Sequence, residues 1–285
     1  MHQKKVLVTG ACGYIGMHVV QELLKQGCQV IASDFKNNDL PAEVTFTDYP
    51  IFDGSPDIYE KLGSPDALIH LAWRQGFVHN APAHMEDLSA HTVFLNHMMD
   101  AGIWSVSVMG SMHEVGYWEG AVDENTPCNP LSQYGVAKNA LRQSMLLYAK
   151  DKKTSFHWLR AYYIYGDDRR GSSIFAKLRQ AAAEGKQVFP FTTGKNQFDF
   201  LPIEELAEQI VAATLQDQVN GVINVCSGKP RPLAEQVEWY IKANDLPITL
   251  EYGAFPDRPY DSPAIWGDHE KIEKILRSAE IYQGV

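Results

Sequence analysis

The sequence points to an α/β protein, a doubly wound parallel sheet carrying a smaller C-terminal lobe. Three features lead there. Short β-branched runs alternate with helical patterns through the first half, a glycine-rich turn follows the first run, and an acid closes the second. Such alternation implies βαβ units, with parallel strands covered by helices on both faces and right-handed crossovers.

In chain order, Lys5–Thr9 is predicted as a strand, Ile15–Gln26 as a helix, Gln29–Asp34 as a strand and Val44–Thr47 as a short strand. Ala67–Leu71 is an apolar strand but for His70, Leu88–Ala101 a helix and Trp104–Met109 a strand. The long helix Tyr134–Lys150 and the strand Phe156–Ala161 follow. Beyond them, Ile174–Glu184 and Ile203–Leu215 are predicted helices, Val222–Val225 is a strand, and Leu233–Lys242 and Asp268–Leu276 are helices. Residues 1–165, completed by about 199–227, are expected to form the nucleotide-binding domain. Residues 166–198 and 228–285 are expected to form the substrate lobe.

Composition narrows the function. The 285 residues are 45% hydrophobic and 21% charged, an ordinary globular balance that sets aside disorder, collagen and coiled coil. With 25 Lys and Arg against 35 Asp and Glu, the formal charge of −10 repels phosphate backbones and acidic lipid, so neither nucleic acid nor a membrane is expected as partner. No apolar run approaches the roughly 18 residues needed to cross a bilayer. The apolar stretch Val6–Val8 is too short for a signal-peptide core. Cys12, Cys28, Cys128 and Cys226 are scattered without a C-x-x-C pair and read as free thiols in a reducing cytoplasm. Six histidines fall between His70 and His113, but without i, i+4 spacing or flanking cysteine ligands, so no metal is expected.

The turn Thr9-Gly10-Ala11-Cys12-Gly13-Tyr14-Ile15-Gly16 joins the first strand to the first helix. Its three glycines suit a tight turn, close approach to a pyrophosphate and tight helix–strand packing, with the helix N-terminus facing the phosphates. Asp34 ends the second strand, where a carboxylate accepts both ribose hydroxyls and repels a 2′-phosphate, favouring NAD over NADP. Asp53 is a candidate for the adenine, or an ordinary loop residue.

Tyr134 and Lys138 lie four residues apart on one helix face. Ionising a phenol at neutral pH requires a shift of about 3 units from ~10, or roughly 4 kcal/mol. A cation about 4 Å away at an effective dielectric of ~20 supplies approximately that, so Lys138 is expected to lower the Tyr134 pKa. Ser111 follows the fifth predicted strand, placed to hold a substrate oxygen against the tyrosine.

Together with His70-Leu71-Ala72 and the run Glu124-Asn125-Thr126-Pro127-Cys128-Asn129-Pro130-Leu131-Ser132-Gln133-Tyr134-Gly135, these motifs resemble the extended short-chain dehydrogenase/reductases, in their NAD-dependent nucleotide-sugar epimerase/dehydratase branch. Arg160 with Tyr165-Gly166, Asp199-Phe200, Asn224–Gly228 and Arg258 carry the resemblance almost to the C-terminus. It implies a Rossmann-type domain that holds NAD through Gly10, Cys12, Gly13, Tyr14, Ile15, Gly16, Asp34, Asp53, Leu71, Ala72, Tyr134 and Lys138. It implies a Ser111, Tyr134 and Lys138 catalytic set, a cleft for a sugar or nucleotide-sugar, and a homodimer formed through the long helices. Trp73, Met112, His113, Tyr163 and Arg258 are the expected substrate contacts.

The sequence also departs from that branch. Its dehydratases carry Thr-Asp-Glu in the serine region, where this chain has Ser111-Met112-His113-Glu114. One alignment leaves no acid there and another leaves Glu114 alone, so dehydration is disfavoured. Tyr163 and Phe198 stand where the branch uses an Asn and an Arg on the diphosphate, and Asp167 replaces a Pro. The expected activity is therefore NAD-dependent oxidoreduction or epimerisation of a sugar carbinol or ketone, carried on a nucleotide. A dehydrogenase of free sugars or sugar acids, or a non-catalytic NAD(H) sensor, are the alternatives.

Overall fold

Seven parallel strands carry the molecule, and the sequence supplies them in the order a doubly wound sheet needs. The computed structural model describes residues 3–167, 173–257 and 261–283. The first half runs β1 (Lys5–Thr9), α1 (Tyr14–Lys25), β2 (Gln29–Ser33), β3 (Thr45–Thr47), α2 (Ile58–Lys61), β4 (Ala67–His70), α3 (Ala83–Glu86), α4 (Leu88–Asp100) and β5 (Ser105–Ser111). A 3₁₀ turn (Met112–Glu114), β6 (Gly120–Val122), α5 (Gln133–Ala149), β7 (Ser155–Ala161) and β8 (Tyr163–Tyr165) follow. The remainder is α6 (Ile174–Ala183), β9 (Val188–Pro190), β10 (Gln197–Pro202), α7 (Ile203–Thr214), β11 (Gly221–Val225), β12 (Pro230–Pro232), α8 (Leu233–Ala243), β13 (Thr249–Glu251), β14 (Ala264–Gly267) and α9 (Glu270–Gln283).

The large sheet has the order β11-β7-β5-β4-β1-β2-β3, with every pair parallel. Side chains alternate between its faces. Val6, Val8, Ile69 and Ile223 meet Val19, Val20 and Leu23 of α1, Leu206 and Ile210 of α7, and Ile272 and Ile275 of α9. On the other face, Leu7, Leu68, Val106 and Val108 meet Phe94, Leu95 and Met98 of α4 and Leu141 and Met145 of α5. Both faces are dry, which is why these strands read as continuous apolar runs rather than alternating ones.

A second sheet, β12-β10-β14-β6 with β8 beside β10, covers a third apolar cluster that includes Phe175, Phe191, Phe198, Phe200 and Tyr240. Local sequence patterns mark none of its strands. They are three to six residues long, two contain prolines, and their partners lie far along the chain, so local periodicity carries no trace of them. The fifth strand also runs two residues further than predicted, because Gly110 and Ser111 stay paired with Arg160 and Ala161 of β7. Among the described residues, no helix is long and apolar enough to cross a membrane.

Candidate active site

The carboxyl ends of β1, β2, β4 and β5 open on one edge of the sheet, at the point where strand order reverses between β1 and β4, the usual ligand crevice of such folds. Gly10 turns there with φ +69°, and a Cβ on it would stand 2.9 Å from the Ala72 nitrogen. A Cβ on Gly16 would stand 2.2 Å from the Gly10 carbonyl oxygen, so only glycine lets α1 sit this close to the turn. Helix α1 opens at Gly13 with no side-chain cap and no acid in its first turn, leaving its N–H groups to an anion.

Asp34 lies directly beside this turn. Its Oδ2 accepts from the Cys12 N–H at 2.9 Å and its Oδ1 from the Phe35 N–H at 2.8 Å. Leu71 and Ala72 reach the same place, their N–H groups donating to the Thr9 carbonyl (3.1 Å) and the Thr9 hydroxyl (3.4 Å). Tyr14 donates its hydroxyl to the Gly166 carbonyl at 2.5 Å, and Ile15 packs into the core. A backbone cradle that admits no Cβ, a helix mouth without an acid and a carboxylate at the ribose position suit NAD. Asp53 is set differently, with one carboxylate oxygen accepting from the Tyr49 hydroxyl (2.5 Å) and the other from the Ser55 N–H (2.8 Å), both within its own loop.

The proposed catalytic side chains come from β5 and α5. Ser111 ends β5 and caps the 3₁₀ turn, its hydroxyl accepting from the His113 N–H at 3.3 Å. Ser132 caps α5 by accepting from the Gly135 N–H at 3.1 Å. A Cβ on Gly135 would lie 2.3 Å from the His113 carbonyl oxygen, so the glycine after Tyr134 is what lets α5 approach the serine turn. The result is that the serine turn and the Tyr134 ring come together, with the Ser111 hydroxyl lowering the phenol's pKa.

The ammonium is not where sequence spacing alone puts it. Lys138 Nζ donates to the Met109 carbonyl at 2.8 Å and lies 3.7 Å from the Trp73 ring centroid and 5.9 Å from that of Tyr134. Burial holds its pKa down at about 7, against an upward push from the Glu114 charge. Burial also pushes Tyr134 up to about 12; the nearby Ser111 hydroxyl pulls it down and the Glu114 charge adds to the rise. The expectation that Lys138 lowers the phenol pKa is therefore corrected for this conformation. Burial costs the phenolate its hydration, and Lys138, its own pKa lowered to about 7, does not offset that cost here.

Around the phenol stand rings the sequence did not mark as a set. Trp73 (6.1 Å), His79 (5.7 Å), His84 (5.3 Å) and His113 (5.9 Å) surround Tyr134, measured between centroids. Trp73 donates its indole N–H to His84 Nδ1 at 3.0 Å and stacks on His91 at 4.5 Å. The loop that carries His79 is tied to the first turn of α5, where the Tyr134 N–H donates to the His79 carbonyl (2.8 Å) and the Gln133 N–H to Asn80 Oδ1 (3.1 Å). Trp73 and His113 were named as substrate contacts; His79 lies in a loop and His84 in the four-residue α3, too short for periodicity to mark either. The crowding of histidines in one stretch was the available signal. Among the described residues, no three His, Cys, Asp or Glu side chains are arranged to hold a metal.

Met112 packs against the third apolar cluster, and Tyr163 stacks on Phe198 at 4.3 Å, so these two residues form one aromatic pair. Arg258 lies outside the described residues.

Comparison with known proteins places the fold and the family. Residues 6–226 match the NAD dependent epimerase/dehydratase family. The chain is similar to dTDP-6-deoxy-L-talose 4-dehydrogenase (NAD(+)) of Aggregatibacter actinomycetemcomitans, 42% identical over 269 residues that cover 92% of this chain and 98% of that one. Its fold matches MoeE5 in complex with UDP-glucuronic acid and NAD, with a TM-score of 0.77 at 25% identity over 96% of this chain and 92% of the other. It also matches a UDP-N-acetylglucosamine 4-epimerase of Methanobrevibacter ruminantium M1, with a TM-score of 0.83 at 22% identity over 96% and 92%. The chain belongs to the NAD dependent epimerase/dehydratase family and is an enzyme of that NAD-dependent, extended short-chain dehydrogenase/reductase type.

Proposed function

We propose that this enzyme interconverts a secondary alcohol and a ketone on the sugar of a nucleotide-sugar, with a dTDP-linked 6-deoxyhexose oxidised at C4 as the leading substrate. The observation that carries the reading is the convergence of Ser111 at the end of β5 with Tyr134 and Lys138 of α5, at the same sheet edge as the Gly10–Gly16 turn and Asp34. The 42% identity to a dTDP-sugar 4-dehydrogenase across nearly its whole length supports the nucleotide carrier and the oxidative direction.

NAD, when bound, supplies the hydride acceptor. The protein handles the proton. Tyr134 takes it from the substrate hydroxyl through its phenol oxygen, as the phenolate that the positive nicotinamide would favour, Ser111 fixes that hydroxyl by a hydrogen bond, and Lys138 would hold the nicotinamide ribose. The rings of Trp73, His79, His84 and His113 surround the phenol and set its orientation. Asp34 selects NAD, and in this reading Met112, Tyr163 and Arg258 contact the sugar or its carrier. Residues 1–165, completed by about 199–227, bind the dinucleotide, and 166–198 with 228–285 bind substrate.

The reading includes a cytoplasmic homodimer. Val93 of α4 and Val136 and Leu147 of α5 are exposed along the two long helices, as a helix-paired interface requires. The Tyr163–Phe198 stack favours a second reading, a free sugar without a diphosphate. A panel of dTDP-, UDP- and free sugars with NAD, followed at 340 nm, tests both. Turnover of dTDP-6-deoxyhexoses alone supports the first, and turnover of free sugars alone replaces it.

A further inference from the structure

Beneath the serine turn lies a carboxylate that the chemistry above does not use. Glu114 is fully buried. Its Oε1 accepts from the Ser111 N–H at 2.6 Å and from the Trp158 indole N–H at 2.9 Å, and its Oε2 accepts from the same indole at 3.0 Å. Two guanidinium groups face that second oxygen, Arg142 Nε at 3.4 Å and Arg160 Nη2 at 3.6 Å. Arg142 belongs to α5, two helical turns beyond Tyr134, while Trp158 and Arg160 belong to β7.

We propose that Glu114 is a positioning residue for the reaction, tying the Ser111 turn, the Tyr134–Lys138 helix and β7 into one unit so that the serine is held beside the phenol.

Three observations carry this. The backbone N–H it accepts is that of Ser111 itself, so the contact fixes the residue that ends β5 and caps the turn packed against α5 beside Tyr134. The local sequence is shaped around it: a Cβ on Gly110 would stand 2.2 Å from Trp158 Nε1 and 2.8 Å from Glu114 Oε1, so β5 carries glycine there. The guanidinium groups are held for this purpose, for Arg142 and Arg160 both also donate to Cys128 Sγ (3.4 and 3.9 Å), which fixes the segment leading into α5. A carboxylate enclosed by an indole and two guanidinium groups does not face substrate. Glu114 is therefore not an acid for eliminating water, although one alignment with the branch's dehydratases puts it on their glutamate.

The charge has a further consequence. Glu114 raises the pKa of both Tyr134 and Lys138, so neutralising it moves the titration of both groups to lower pH. This inference rests on the nucleotide-sugar reading for its kinetic tests, and one readout is independent of it.

Glu114→Gln keeps the shape and removes the charge. With NAD and a dTDP-6-deoxyhexose, kcat is expected to fall at least 30-fold with KM and NAD affinity within threefold, and the pH–rate profile to shift toward acid. Because Gln leaves two buried cations unbalanced, Glu114→Gln/Arg142→Met is the second variant. It keeps the cluster's net charge, so thermal stability is expected to recover while kcat stays low. Hydrogen exchange at the Ser111 amide, which needs no substrate, is expected to quicken at least tenfold in both variants while the rest of β5 holds. Wild-type kcat and pH profile in a folded variant, or unchanged Ser111 exchange, would overturn the proposal. A wild-type enzyme that turns over no nucleotide-sugar sinks the functional reading instead, and the exchange measurement still decides the role of Glu114.

Discussion

Lowering the pH from 7 to 5 should strip several kcal/mol from this fold, because buried histidines are kept neutral inside it. His157 on β7 is fully enclosed, 3.1 Å from the Ser107 hydroxyl and 3.2 Å from Gln216 Nε2, and burial pushes its pKa down to about 4. His113 is held at about 4 for the same reason. His70 and His91 share a hydrogen bond of 2.8 Å and are both held down by burial, His91 at about 3. In the unfolded chain each titrates near ~6.5. Below that value the unfolded state binds protons the native state refuses, so stability is complete above pH 6.5 and drains away as pH falls toward the folded values. At pH 5 each site forfeits about 2 kcal/mol. Counting the coupled His70–His91 pair once, three sites give about 6 kcal/mol, comparable with the whole stability of many domains. Carboxylates held low by partners, such as Asp87 beside Arg74 and Asp100 beside Lys152, act only below about pH 4 and leave this window clean. Denaturant unfolding at pH 7.5, 6, 5.5 and 5 measures the slope, and His157→Gln should remove about a third of it. Stability that stays flat to pH 5, or uptake of less than one proton on unfolding there, would refute the reasoning.

Two further outcomes follow from the turn at the sheet edge. Gly16→Ala should lower stability by about 1–3 kcal/mol and abolish NAD binding in a calorimetric titration, because its Cβ meets the Gly10 and Ala11 carbonyl oxygens rather than a side chain that can move. Asp34→Ala should weaken NAD at least tenfold and narrow the preference over NADP, read as the ratio of the two dissociation constants, since the carboxylate that takes the ribose and repels a 2′-phosphate is gone.

What the sequence made legible is what local chemistry specifies. The alternating runs gave the large sheet because both its faces are buried, and the glycine turn and Asp34 fall beside each other because β1 and β2 are neighbours in register. The Tyr134–Lys138 spacing gave the helix, but not the direction of the ammonium. That depends on Trp73 from β4's loop and the Met109 carbonyl from β5, neither near Lys138 in the chain. Glu114 was hidden for a similar reason: its partners are at 111, 142, 158 and 160, joined only once three elements pack. The short strands of the smaller sheet were invisible because long-range pairing, not periodicity, makes them.

The central claim is that the Tyr134 phenol carries the proton while NAD receives the hydride, and single-turnover reduction of bound NAD by a dTDP-6-deoxyhexose at 340 nm tests it most directly. Tyr134→Phe should bind NAD as the wild type does and reduce it about 10²–10⁴-fold more slowly. A Tyr134→Phe enzyme that reduces bound NAD at the wild-type rate would contradict the account.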